Sequence, residues 1–114
     1  MFIMVSGPYR SGSDDPKLWE KNLAAMNAAA YEVFKKGHTP IIGVNAALPV
    51  IKALGEDKYG ELMMPISLAL ADKCDAVLRI GGDSKGADEE VEVFKRKGLP
   101  VYYSIEEIAT ALKK

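Results

Sequence analysis

Four short, largely apolar runs, each closed by a turn and followed by a helical pattern, limit what this chain can fold into. They are Phe2–Val5, Thr39–Val44, Ala76–Ile80 and Leu99–Tyr103. Continuous apolar runs of this length, without an outward polar alternation, fit strands buried on both faces of a parallel sheet. Pro40 is tolerated at the first position of its run or on a sheet edge. The stretches between the runs are long enough for a crossover, which parallel neighbours require.

Helix signals fill those stretches. Asp15-Pro16 pairs an N-cap residue with proline at the first helical position. Trp19, Leu23, Met26, Ala30 and Val33 then follow at spacings of four and three, one buried stripe, and Lys35-Lys36-Gly37 closes the helix with cations and a glycine. The region from Asn45 to Gly60 reads poorly, as helical pieces broken by Pro49, Gly55 and Gly60. A second helix is predicted over Glu61–Lys73 with Leu62, Ile66, Ala69 and Leu70 inward. A third opens near Ala87, and a closing one spans Ile105–Leu112 with Ser104 as N-cap and Glu107 completing a capping box. The expected fold is α/β: one small Rossmann-like or flavodoxin-like three-layer domain over residues 1–114, with a four- or five-stranded, mainly parallel sheet.

The chain has 114 residues and a formal charge of −1, which gives no global basic surface for nucleic acid. Its single cysteine, Cys74, excludes an intrachain disulfide and fits a reducing compartment. No apolar run approaches a membrane span. A soluble, cytoplasmic protein without nucleic-acid or membrane partners is expected. His38 is alone and follows a helix-ending glycine, so it is assigned a structural role, and no metal site is predicted.

In a doubly wound sheet the ligand site lies beyond the carboxyl ends of the strands where the strand order reverses. That draws attention to Gly7–Gly12 after the first strand and Gly81–Gly86 after the third. The second loop lacks the Lys-Ser/Thr step of a Walker loop and the spaced glycines of a dinucleotide fingerprint. It still offers backbone donors and the Ser84 hydroxyl to a phosphate or sugar hydroxyl, and it also reads as a plain turn. Four acids follow it. On a helix starting near Ala87, with Ala87, Val91 and Phe94 buried, Glu90 lies about 70° from the stripe. Asp88, Glu89 and Glu92 lie roughly 90–170° away. Glu90 is therefore the acid nearest the core edge, although an acidic first turn also complements the helix dipole without any chemistry. Tyr9 and Arg10, after Gly7-Pro8, are placed to meet a carboxylate and a phosphate across the site.

The segments VSGPY, GHTPI, CDAVLRI and GDSKGADEEVEVFKRKGLPV resemble the nucleoside 2-deoxyribosyltransferase-like superfamily over nearly the whole chain. The resemblance is strongest to its small uncharacterised members, and it extends to the nucleoside 5′-monophosphate N-glycosidases. It implies cleavage or transfer at an N-glycosidic bond through a covalent glycosyl-glutamate. Glu90 would be the nucleophile, ionised by the helix N-terminus, with Tyr9 orienting it. Gly7, Pro8, Arg10, Ser11, Ser84, Gly86 and Ala87 would hold the sugar and a 5′-phosphate. No cofactor is implied. The partner is a small-molecule nucleoside or nucleotide, and the assembly a homodimer or larger homo-oligomer. Ser67 stands where relatives often carry an aspartate, and little chain follows Tyr103. Both departures favour the alternative of a non-catalytic nucleotide-binding module. A lysine-decarboxylase-like phosphoribohydrolase is a further alternative, disfavoured because GGDSKGADEE lacks that family's Gly-Thr step.

Overall fold

The computed structural model describes residues 1–111. Four parallel strands, β1 (Phe2–Ser6), β2 (Thr39–Ile41), β3 (Ala76–Arg79) and β4 (Val101–Tyr102), form one sheet in the order β2-β1-β3-β4. The helices are α1 (Pro16–Lys35), α2 (Gly43–Leu54), α3 (Tyr59–Ala71) and α4 (Lys85–Lys97). The parallel α/β expectation holds, with four strands. Period-two alternation divides β1 between two cores. Ile3 and Val5 pack with Met26 and Val33 of α1, while Met4 joins Ala71, Val91 and Phe94 on the face covered by α3 and α4. No helix among the described residues is long and apolar enough to cross a membrane.

Helix α1 forms as its signals predict. Asp15 accepts a hydrogen bond from the Lys17 N–H at 3.0 Å, and Gly37 adopts a left-handed φ of 88° after the helix. Other boundaries move. The second strand ends at Ile41, because Gly43 already begins α2. That helix runs through Pro49, where a break was expected. Pro49 is exposed, so the carbonyl it leaves unbonded is open to water, while Ala47, Leu48 and Ile51 are buried. Gly55 does stop it, with φ 122° and ψ 152°, a conformation open essentially to glycine alone. A short 3₁₀ turn over Glu56–Lys58 leads into α3, which starts at Tyr59 and includes Gly60, where a break was expected.

The inward face of α3 is Met63, Ser67 and Ala71, with Ala69 exposed, and not the predicted Leu62–Ile66–Ala69–Leu70 stripe. Glu61 is the one charged residue in α3, so periodicity could not choose a face. Its neighbours choose it. Leu62 and Ile66 pack with the α2 cluster, and Leu68 and Leu70 with the α4 cluster.

The closing helix is shortened to a 3₁₀ turn, Ile105–Glu107. The carbonyls a longer helix would use are taken from outside. Lys36 Nζ donates to Ile105 O and Ile108 O at 2.9 and 2.7 Å, and His38 Nε2 bonds Ala109 O at 2.7 Å. Ile108 is instead extended and buried against the α1 core. His38 thus has the structural role assigned to it. Glu107 accepts from the Tyr103 N–H rather than closing a capping box on Ser104. Leu112, the end of the predicted helix, lies outside the described residues.

Candidate functional site

Strand order reverses between β1 and β3, and a cleft of about 520 Å³ opens beyond their carboxyl ends. The sequence-predicted residues Gly7, Tyr9, Arg10, Ser11, Ser84, Gly86, Ala87 and Glu90 all line it. Pro8 does not. It packs instead against Gly81, whose φ of 76° and lack of a side chain allow the approach, since a Cβ there would meet Pro8 Cδ at 2.7 Å. The two loops are therefore in contact behind the cleft, as the fold argument required.

Glu90 lies at the buried end of the site, 8% exposed. Helix α4 starts at Lys85 with Ser84 as its N-cap, earlier than predicted, so Glu90 belongs to the second turn. There the dipole's influence has faded. The carboxyl group is pushed up to about 7, first because burial penalises its charge. The Ser6 hydroxyl, the Ser67 hydroxyl and Arg79 oppose that shift, and Glu89 adds to it. Ser6 Oγ donates to Glu90 Oε1 at 2.5 Å, the length of a charge-assisted bond. The expected ionisation by the helix end is thus outweighed by desolvation.

Tyr9 makes no hydrogen bond to Glu90 among the described residues. Its ring stands 6.3 Å from that of Trp19, and Ser6 supplies the bond to the carboxylate. Arg10 sits with its guanidinium 3.7 Å from the Tyr59 ring centroid and 4.1 Å from that of Trp19. Its Nη2 reaches Glu56 Oε2 at 2.6 Å, and its buried Nε has no partner among the described residues. The cation is stacked between two rings at the cleft wall, and it is paired with a carboxylate of this chain. Burial raises the Tyr59 hydroxyl above its usual range, against the pull of Arg10.

The other end of the cleft is the start of α4. Ser84 Oγ accepts from the Ala87 N–H at 3.1 Å, which leaves its own hydrogen free to donate. The Lys85 and Gly86 N–H groups, at the first two helical positions, have no carbonyl behind them within the helix. Together these make an anion-sized set of donors. Arg79 braces the loop before it, donating to the Ile80 carbonyl, to Gly82 O at 2.8 Å, and from Nε to Asp88 Oδ1 at 3.3 Å.

Sequence reasoning missed most of the opposite wall, formed by Val44, Tyr59, Met63 and Met64 beside Ser67, the position the resemblance singles out as a departure. Ser67 is 2% exposed, and its hydroxyl makes a weak contact to Met63 Sδ at 4.0 Å. Gly43 makes room for it, since a Cβ there would lie 2.3 Å from Ser67 Oγ. Ser6 was also missed, although parity carried a signal: it shares the α4-facing side of β1 with Met4 and is the one polar residue there. No group of three or more His, Cys, Asp or Glu side chains among the described residues is placed to hold a metal ion. Cys74 is buried and its thiol is raised to about 11, chiefly by desolvation. Comparison of the chain with models of known families, with curated proteins and with solved structures finds no match.

Proposed function

We propose that this domain cleaves or transfers the N-glycosidic bond of a nucleoside or nucleotide, with Glu90 as nucleophile. The observation that carries the reading is a single glutamate, buried but open to a 520 Å³ cleft, opposite a set of helix N-terminal donors. In the first step a Glu90 carboxylate oxygen bonds to the anomeric carbon, and the carbon–nitrogen bond breaks. Its electron pair leaves with the base, which takes a proton from solvent. In the second step water or another base attacks the same carbon and releases the carboxylate. The Ser84 hydroxyl and the Lys85 and Gly86 N–H groups accept a 5′-phosphate, and Met63, Met64, Val44 and Tyr59 offer apolar surface to the base. Tyr9 and Arg10 form the far wall.

The test is release of free base from a panel of nucleosides and nucleoside 5′-monophosphates. Wild type is expected to release base from at least one, and Glu90→Ala from none. Equal release by the two proteins on every compound would remove the catalytic claim. A second reading, a nucleotide-binding module without turnover, draws support from the raised Glu90 carboxyl, which in its neutral form donates a hydrogen bond to a ligand. Calorimetry that finds nucleotide binding unchanged in Glu90→Gln, with no base released, would select it.

A further inference from the structure

Ser6 is the last residue of β1, paired in register with Arg79 of β3, and it is 1% exposed. Its backbone is fully used by the ladder, with the carbonyl accepting from the Ile80 N–H at 2.8 Å. Only the side chain is free to act, and strand parity turns it toward α4. Two acceptors on successive turns of α4 face it: Glu90 Oε1 at 2.5 Å and Ala87 O at 3.3 Å. A hydroxyl has one hydrogen to give, and the short, charged acceptor takes it. Among the described residues no hydrogen bond closes on Glu90 Oε2, although the Ser67 hydroxyl also favours the carboxylate, and Oε2 is the oxygen left for the cleft.

We infer that Ser6 is the positioning residue of this site: its hydroxyl pins Glu90 Oε1 and thereby presents Oε2 to the substrate. The inference rests on the reading of Glu90 as nucleophile. One donor between two acceptors also suits the covalent step. While the carboxylate carries its charge, the hydroxyl stays on Oε1. When Oε2 bonds to the anomeric carbon, Oε1 becomes an ester carbonyl and a weaker acceptor. The Ala87 carbonyl then offers the hydroxyl a second place, so no buried donor is stranded in either state. The other groups that act on the carboxyl are Ser67 of α3, Arg79 of β3 and Glu89 of α4 itself, with Cys74 feeling its charge from the α3–β3 connection. Of these, Ser6 makes a short bond to the carboxyl, at 2.5 Å, and its share in holding the charge is the larger of the two hydroxyls'.

The experiment is a carbon-13 NMR titration of the glutamate side-chain carboxyls in wild type and Ser6→Ala, with Glu90→Gln to assign the Glu90 signal. Wild type is expected to titrate near 7 at Glu90. Removing a hydrogen bond to the charged form should raise the Ser6→Ala midpoint by about one pH unit. Alanine is smaller and apolar, so the variant is expected to stay folded, which the dispersion of its amide spectrum checks. Ser6→Thr, which keeps the hydroxyl, should restore the wild-type midpoint. An unmoved midpoint in folded Ser6→Ala overturns the inference, whatever the activity. A moved midpoint in a protein that releases no base upholds the serine–glutamate link and sinks the glycosidic reading alone. With a turned-over substrate, Ser6→Ala should lower kcat about tenfold at pH 7 with KM little changed, a split that loss of packing alone would not give.

Discussion

Replacing Glu90 by glutamine should stabilise the protein, and by an amount that depends on pH. The carboxyl moves from 4.5 to about 7 on folding because it is buried. A folded-state value above the unfolded one means the native state holds its proton longer. Stability from this group is fully present below about 4.5 and is lost as pH rises through about 7. With about 1.4 kcal/mol per pH unit of displacement, the loss by pH 8 is on the order of 3 kcal/mol. That is a large share of the roughly 5–15 kcal/mol that holds a domain of this kind together. Glutamine keeps an oxygen for the Ser6 hydroxyl and never ionises, so it lacks this dependence. Urea unfolding of both proteins from pH 4 to pH 8 measures it. With an m-value of roughly 1.5 kcal/mol/M, the glutamine midpoint should pull ahead by about 2 M across the range. A difference that stays flat from pH 4 to pH 8 would refute the claim that burial sets this group.

The same titration predicts a rate. If the carboxylate attacks, kcat should rise about tenfold from pH 6 to pH 8, following a group near 7, and a flat profile would count against Glu90 as the attacking group. Gly43→Ala gains helix propensity but drives a Cβ to 2.3 Å from Ser67 Oγ, so thermal unfolding should show a net loss of about 1–2 kcal/mol, recovered in part by adding Ser67→Gly. Ser84→Ala should cost about 1 kcal/mol as a lost N-cap, whereas Ser84→Asp should keep the stability and repel 5′-monophosphates, as calorimetry would show. Cys74, raised to about 11, should react with an aromatic disulfide about 100-fold more slowly at pH 8 in the native protein than in urea.

The fold was legible where local chemistry and burial agree. Buried strands announce themselves as unbroken apolar runs, and Asp15-Pro16 fixes a helix start whatever surrounds it. The misreadings fall where tertiary contacts overrule local signals. Pro49 does not break α2, because Ala47 and Ile51 bury together with Met63 of α3 while Pro49 faces solvent. The facing of α3 is decided by what lies on each side of a helix with hardly any polar residues. The predicted closing helix fails because Lys36 and His38, about 70 residues earlier, occupy its carbonyls. The site divides the same way. Its loops are punctuated by glycines and visible in the sequence, but Ser6, Ser67 and the methionine wall enter it only through the stacking of α3 and α4 on the sheet.

Glu90 shows why position along a helix is a poor guide to ionisation. An acid near a helix start reads as stabilised by the dipole, and Asp88, in the first turn and exposed, fits that description. Starting α4 at Lys85 puts Glu90 one turn deeper, where the dipole is spent and the neighbours are β1 and α3 rather than water. Burial then raises the carboxyl, and the hydroxyls of Ser6 and Ser67 with Arg79 recover only part of the lost solvation. A group meant only to cap a helix would be placed where solvation costs nothing. An acid kept at a cleft floor, against an opposing cost on the order of 3 kcal/mol, is the kind of local conflict that proteins retain where a site needs it.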